Sequence, residues 1–158
     1  MDVPLLLLRW AVHVTACGLL AIAVVAVLRE GLVAAAVGGA ALALAYAAGP
    51  AVEGRPVAGP VWLGLVTAGW AALAVAASPF VWLVFPLLFS YLHVLVLWGA
   101  MFGVGALTSA AILAAAWHAG GLTAPLVLGP VVAAAVVTLL ALACRTMRAE
   151  AERQSRCR

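Results

Sequence analysis

Lysine is absent from this 158-residue chain, and charge of either sign is scarce: eight arginines and five acidic residues make up 8% of the positions. An ordinary soluble domain carries about 25% charged residues, the groups that keep its surface hydrated and free of apolar patches. So few charges cannot screen a sequence that is 68% hydrophobic, and a water-soluble globule is excluded. Cysteine is sparse too. Cys17, Cys144 and Cys157 show no metal-ligand spacing and imply no disulfide framework.

What is present is long apolar runs cut by a few punctuation marks. A helix that spans a bilayer needs about 20 apolar residues, because the hydrocarbon core is about 30 Å thick and the helix rises about 1.5 Å per residue. Arg9 and Arg29 bracket a first span, 10–28, and Arg29-Glu30-Gly31 makes a turn. The stretch Val14-Thr-Ala-Cys17 looks like a lipoprotein processing site, but Arg9 interrupts the run before it and the apolar stretch continues to Leu28, so no cleaved signal is expected. A slim, alanine-rich second span, 32–48, stops at Gly49-Pro50. The loop after it, with Glu53 and Arg55 among prolines and glycines, has an aqueous composition.

From Val61 to Trp98 there is no charge, which suits two crossings, 61–77 and 80–98, broken at Ser78-Pro79 with a kink at Pro86. Trp98-Gly99-Ala100 marks the next turn, 101–117 the fifth span, His118 to Gly121 its end, and 122–144 the sixth. The fold expected is therefore an all-α integral membrane bundle of about six transmembrane helices over 1–144, followed by a basic cytoplasmic helix over 145–158. A five-span arrangement, merging the proline-broken region, is the alternative.

Six crossings put both termini on one side. With that side cytoplasmic, seven arginines lie inside and Arg29 alone outside, a positive-inside distribution in a plasma-membrane protein. The basic tail is suited to anionic lipid headgroups, and no nucleic-acid partner is implied. Leu140, Cys144, Met147, Ala151 and Gln154 recur at the three- and four-residue spacing of a coiled-coil seam, which points to a homodimer.

The candidates for chemistry are few. The spans hold no Asp, Glu, Lys or Arg, which argues against an ion pump or a proton-coupled transporter, whose relays need carboxylates at depth. His93, beside Ser90 and Tyr91, can titrate or bind a ligand, and is more simply read as a neutral imidazole bonded to a neighbouring helix. His13 is read the same way, and His118, next to Trp117, as an interface anchor. Ser78, Ser90 and Ser109 lack a nucleophile-elbow context; Ser90 and His93 share a helix face without a third orienting group. No catalytic residue, cofactor or metal site is expected. Gly99-Ala-Met-Phe-Gly103 matches the small-xxx-small pattern of close helix approach, read as intrachain packing. Trp62, Trp70, Phe80, Trp82, Phe85, Phe89, Tyr91 and Trp98 crowd the third and fourth spans, as interface belts, packing, or the wall of an apolar pocket.

The segment Ser78-Pro-Phe-Val-Trp-Leu-Val-Phe-Pro-Leu-Leu-Phe-Ser-Tyr-Leu-His93, then Ala116-Trp-His118, Leu128-Gly-Pro130 and Arg148-Ala-Glu-Ala-Glu-Arg-Gln154, resembles the membrane-embedded input region of actinobacterial sensor histidine kinases. The resemblance covers about residues 78 to 154. It departs from the family after the histidine, where Val94-Leu-Val-Leu-Trp98 replaces a proline and arginine, and at Gln154-Ser-Arg-Cys-Arg158, beyond which the family continues into a kinase core. The resemblance implies a signal-input domain without its own phosphoacceptor or ATP-binding motif, either a fragment or a stand-alone remnant. It implies candidate sensing residues His93, Tyr91 and Trp82, and a signal-transmitting helix carrying Arg145, Arg148, Glu150, Glu152 and Arg153. The implied partners are the lipid bilayer, a second copy, and a cytoplasmic kinase module or response regulator. A small permease or channel and a non-catalytic scaffold subunit are the competing classes; a transporter should show internal repeats, and the two halves share no pattern.

Overall fold

The computed structural model describes residues 3–52 and 55–156, with side chains from Trp10 onward except at 144, 148, 149 and 151–156. Among these the fold is helical throughout, with no strand. The order is α1 (Val3–Arg29), α2 (Val33–Ala47), a single turn α3 (Gly49–Val52), α4 (Ala58–Ala76), a 3-10 helix (Ser78–Leu83), α5 (Val84–Val94), α6 (Leu97–Ala119) and α7 (Ala124–Arg156). Five stretches are long and apolar enough to cross a membrane: Trp10–Arg29, Val33–Val52, Ala58–Ala76, Leu97–Ala119 and Ala124–Met147.

Two of the turns are glycine stops. Gly31 and Gly120 have φ of 77° and 72°, the left-handed region that costs a residue with a β-carbon. After each, the next amide reaches back five residues, Leu32 N–H to Val27 and Gly121 N–H to Ala116, the Schellman closure that satisfies carbonyls at a helix end.

Prolines shape the middle. Pro79 starts the 3-10 helix, and Pro86 has no N–H to give the carbonyl of Trp82, so the residues before it wind as 3-10 and regular α-helix resumes from Val84. Pro86 thus stands in the first turn of α5, where a missing donor does no harm, rather than kinking a continuous span. The expected fourth span, 80–98, is divided between the 3-10 helix and an α5 of eleven residues. Its turn into α6 falls at Leu95 and Val96, both extended, and not at Trp98-Gly99, which are already helical.

Side-chain contacts give the helix directions. His13 meets Tyr46 and Val24 meets the position of Gly39, so α2 returns along α1. Trp62 donates to the carbonyl of Ala45 (2.6 Å), while Leu73 lies against Gly38, so α4 returns along α2. Tyr91 packs on Gly103 and Leu95 on Gly99, so α6 returns along α5. His118 Nε2 lies 2.8 Å from the carbonyl of Ala74, bringing the C-terminal ends of α4 and α6 together. The stretch between them, Ser78–Val94, therefore runs back from that end to the other.

Glycines receive aromatic rings at the core. A β-carbon on Gly39 would stand 2.9 Å from the Phe80 ring, one on Gly49 would stand 2.6 Å from the Trp62 ring, and one on Gly103 would overlap the ring of Tyr91. Phe80, Trp62 and Trp70 are buried, with Trp70 Nε1 donating to the carbonyl of Phe80 (3.0 Å). α7 is peripheral. It packs on α5 and α6, and 6% of its apolar stretch is buried against 22–39% in the other four long stretches.

Candidate functional site

The residues with chemistry gather on α5 and on what surrounds it. Ser90 is buried, donating to the carbonyl of Pro86 (3.2 Å) and pairing with the Tyr46 hydroxyl (3.3 Å). Tyr91, half-buried in the socket that Gly103 leaves open, pairs its hydroxyl with Thr67 Oγ1 (2.9 Å), and Thr67 in turn donates to the carbonyl of Leu63. Neighbouring residues of one helix turn thus bind α2 and α4. Buried hydroxyls need such partners, since an unsatisfied one costs about 1–3 kcal/mol.

The C-terminus of α5 is held differently. The last four carbonyls of a helix have no intrahelical donor. At α5, Arg145 of α7 supplies two: its guanidinium donates to the carbonyl of Leu92 and to that of Leu95 (3.2 Å). The negative end of a helix dipole favours a cation there, and a single guanidinium nitrogen, Nη2, donates to both oxygens. Arg145, expected to open the solvated tail, is instead half-buried against the bundle.

The three sensing candidates are not brought together. Tyr91 and His93 stand in the last turns of α5, Tyr91 inward and His93 exposed, while Trp82 is exposed in the 3-10 helix at the opposite end, its ring 6.0 Å from that of Phe85. Ser90 and His93 likewise face apart, one buried and one exposed, so they do not form a nucleophile and base. On α7, Glu150 is exposed; Arg148, Glu152 and Arg153 lie on the same continuous helix, with side chains outside those described. Of the coiled-coil seam, Leu140 and Met147 are exposed, and the side chains of Cys144, Ala151 and Gln154 also fall outside.

The cavity between α1, α2, α4 and α5, bordered by Ala16, Leu42, Tyr46, Val66 and Pro86, has about 10 Å³ of free space. That is room for about one water, against the roughly 300–1,000 Å³ of a small-molecule pocket. Among the described residues no three His, Cys, Asp or Glu side chains converge as a metal site.

The six tryptophans divide by position. Trp62 and Trp70 are interior, with their indole N–H groups bonded to carbonyls. The other four are exposed at the ends of the bundle: Trp10 and Trp98 at the Arg145 end, Trp82 and Trp117 at the Gly120 end. Sequence reasoning missed the Arg145 tie, the Tyr46–Ser90 pair and the His118–Ala74 contact, because each joins residues at least 44 positions apart. Comparison of the chain with family models, with curated proteins and with solved structures gives no match.

Proposed function

We propose that this chain is a multi-pass protein of the plasma membrane that crosses the bilayer six times, has both termini in the cytoplasm, and serves as a signal-input domain. A stimulus in or near the bilayer changes the packing of the bundle, and α7 carries the change into the helix beyond Arg145. The observation that carries this reading is the Arg145 tie. One residue of an unbroken 33-residue helix holds carbonyls of Leu92 and Leu95, next to Tyr91 and His93, so the end of α5 and the tail helix move together.

Several features support the membrane part. The exposed tryptophans mark two belts, the arrangement favoured at membrane–water interfaces. The helices α1 and α6 are apolar on every side, as helices in lipid are. The short stretch at the centre is tall enough to cross: six 3-10 residues and eleven α residues rise about 28 Å, at about 2.0 and 1.5 Å each, close to the hydrocarbon thickness. The arginine excess at the Arg145 end favours that end inside.

The sensor-kinase type of output is supported by the resemblance over residues 78 to 154, and it calls for a homodimer and a cytoplasmic kinase module or response regulator as partners. Signalling of this kind needs two packing states that the stimulus stabilises unequally. The test fuses the chain, through its tail helix, to a histidine-kinase core in proteoliposomes. Output should depend on Arg145 and on the helical register of residues 146–156. Equal output from the wild type, R145L and a scrambled tail would overturn the reading. Cysteine labelling supplies the topology: G121C should react from outside and T146C from inside, and reaction from one side only would remove the six crossings.

A further inference from the structure

Trp70 carries a buried donor whose acceptor lies outside its own helix. The residue is 1% exposed on α4, and its indole N–H reaches the carbonyl of Phe80 at 3.0 Å. A buried N–H needs a partner, and among the described residues this carbonyl is the acceptor it has. Phe80 is itself fully buried, with its ring against Gly39 of α2, so the acceptor is fixed as well as the donor.

The bond has displaced another. In an α-helix the N–H of Val84 would belong to the carbonyl of Phe80, four residues back. Here that N–H is directed at the carbonyls of Val81 and Trp82, and the oxygen of Phe80 takes the indole instead. A second feature acts the same way. An α winding would leave the carbonyl of Trp82 to the N–H of residue 86, which is proline and has none. The 3-10 run is six residues long, where such runs seldom exceed three or four. One tie from α4 and one missing donor thus stand against the winding with the better backbone hydrogen bonds.

We infer that Trp70 is a positioning residue that selects the winding of Ser78–Leu83, and that release of its indole from Phe80 is the packing change by which α4 acts on the tail helix. This rests on the signal-input reading and names the moving part of that input. Once the indole lets go, the N–H of Val84 takes the oxygen of Phe80 and the segment winds as α. Ser78–Leu83 and Val84–Val94 form one strut with no loop between them, and Arg145 holds carbonyls at its far end. A change of winding at the start is therefore delivered to α7. A stimulus that separates α4 from the strut favours the α form, which is the unequal effect on two states that signalling requires.

The test compares the wild type with W70F, which keeps an aromatic ring and loses the donor, and with P86A, which leaves Trp70 in place and gives the carbonyl of Trp82 an α-helical donor. Nitroxides on S78C and H93C, both exposed positions, report the distance along the strut in a protein stripped of its other cysteines and reconstituted in bilayers. That distance should shorten in both variants, by about 0.5 Å for each residue rewound, the difference between the 3-10 and α rise. A wild-type distance in W70F overturns the selection by Trp70, and one in P86A overturns the part given to the missing donor. Should W70F not fold, Trp70→benzothienylalanine, of indole size with sulfur in place of the N–H, gives the same reading. The kinase fusion then separates the claims. With the distance shortened, W70F should shift output away from that of the wild type; unchanged output that still depends on Arg145 overturns the winding as the packing change, while output that ignores Arg145 overturns the signal-input reading itself.

Discussion

The guanidinium of Arg145 donates to the carbonyl of Leu95, 3.2 Å away and fifty residues earlier in the chain, where α5 has run out of its own donors. R145L leaves the carbonyls of Leu92 and Leu95 without that partner. It should destabilise the protein by on the order of 1 kcal/mol, the low end for a carbonyl losing its partner, because the site is only part-buried. R145K should fall between the two, because lysine keeps the cation at the end of α5 but carries it as a compact, more strongly hydrated ammonium. Thermal unfolding in detergent measures both, and an R145L protein as stable as the wild type would show that the tie contributes nothing.

Gly103 and Gly99 lie one turn apart on α6, yet a side chain has room at only one of them. A β-carbon at 103 overlaps the Tyr91 ring, whereas at 99 it would meet Leu95 at 3.9 Å, ordinary contact. G103A should cost about 1–3 kcal/mol through overpacking, and G99A should be near neutral. Combining G103A with Y91A should recover part of the loss that G103A brings on its own. A double-mutant cycle on melting temperatures reads the coupling.

The proposed interfacial placement of the four exposed tryptophans makes a depth prediction. In single-tryptophan proteins reconstituted in bilayers, Trp10, Trp98, Trp82 and Trp117 should be quenched most by lipids labelled near the headgroup. Trp62 and Trp70, enclosed by protein, should be protected from lipid quenchers of any depth and from aqueous acrylamide. Strong quenching of Trp98 by mid-chain labels alone would contradict the belt at the Arg145 end.

Which of these features could be read from the residues alone follows from how local their causes are. Gly31 and Gly120 end helices through their own backbone freedom, and the apolar stretches between them are set by composition, so these were legible. The α5–α6 turn was not. Leu95 and Val96 carry no turn chemistry, Trp98 looks like the boundary marker, and the carbonyls exposed by the real break are satisfied by a side chain from α7. The 3-10 winding escaped for a related reason. Two prolines seven residues apart permit either a kinked α-helix or a change of pitch, and nothing in their spacing chooses between the two. Within α5, alternating exposure at Ser90 and His93 depended on Tyr46 lying across from Ser90, which no spacing within the helix announces.

The winding of Ser78–Leu83 also sets the length of the strut it begins. Rewinding those six residues as ordinary α-helix would shorten the strut by about 3 Å and swivel everything after Leu83 by about 120°. Tyr91 would leave its socket on Gly103, and the oxygens gripped by Arg145 would be drawn away from it. The same stretch that makes α5 tall enough for its neighbours is thus a screw thread, and one quantity, its pitch, sets both the reach of the strut and the angle at which the tail is held.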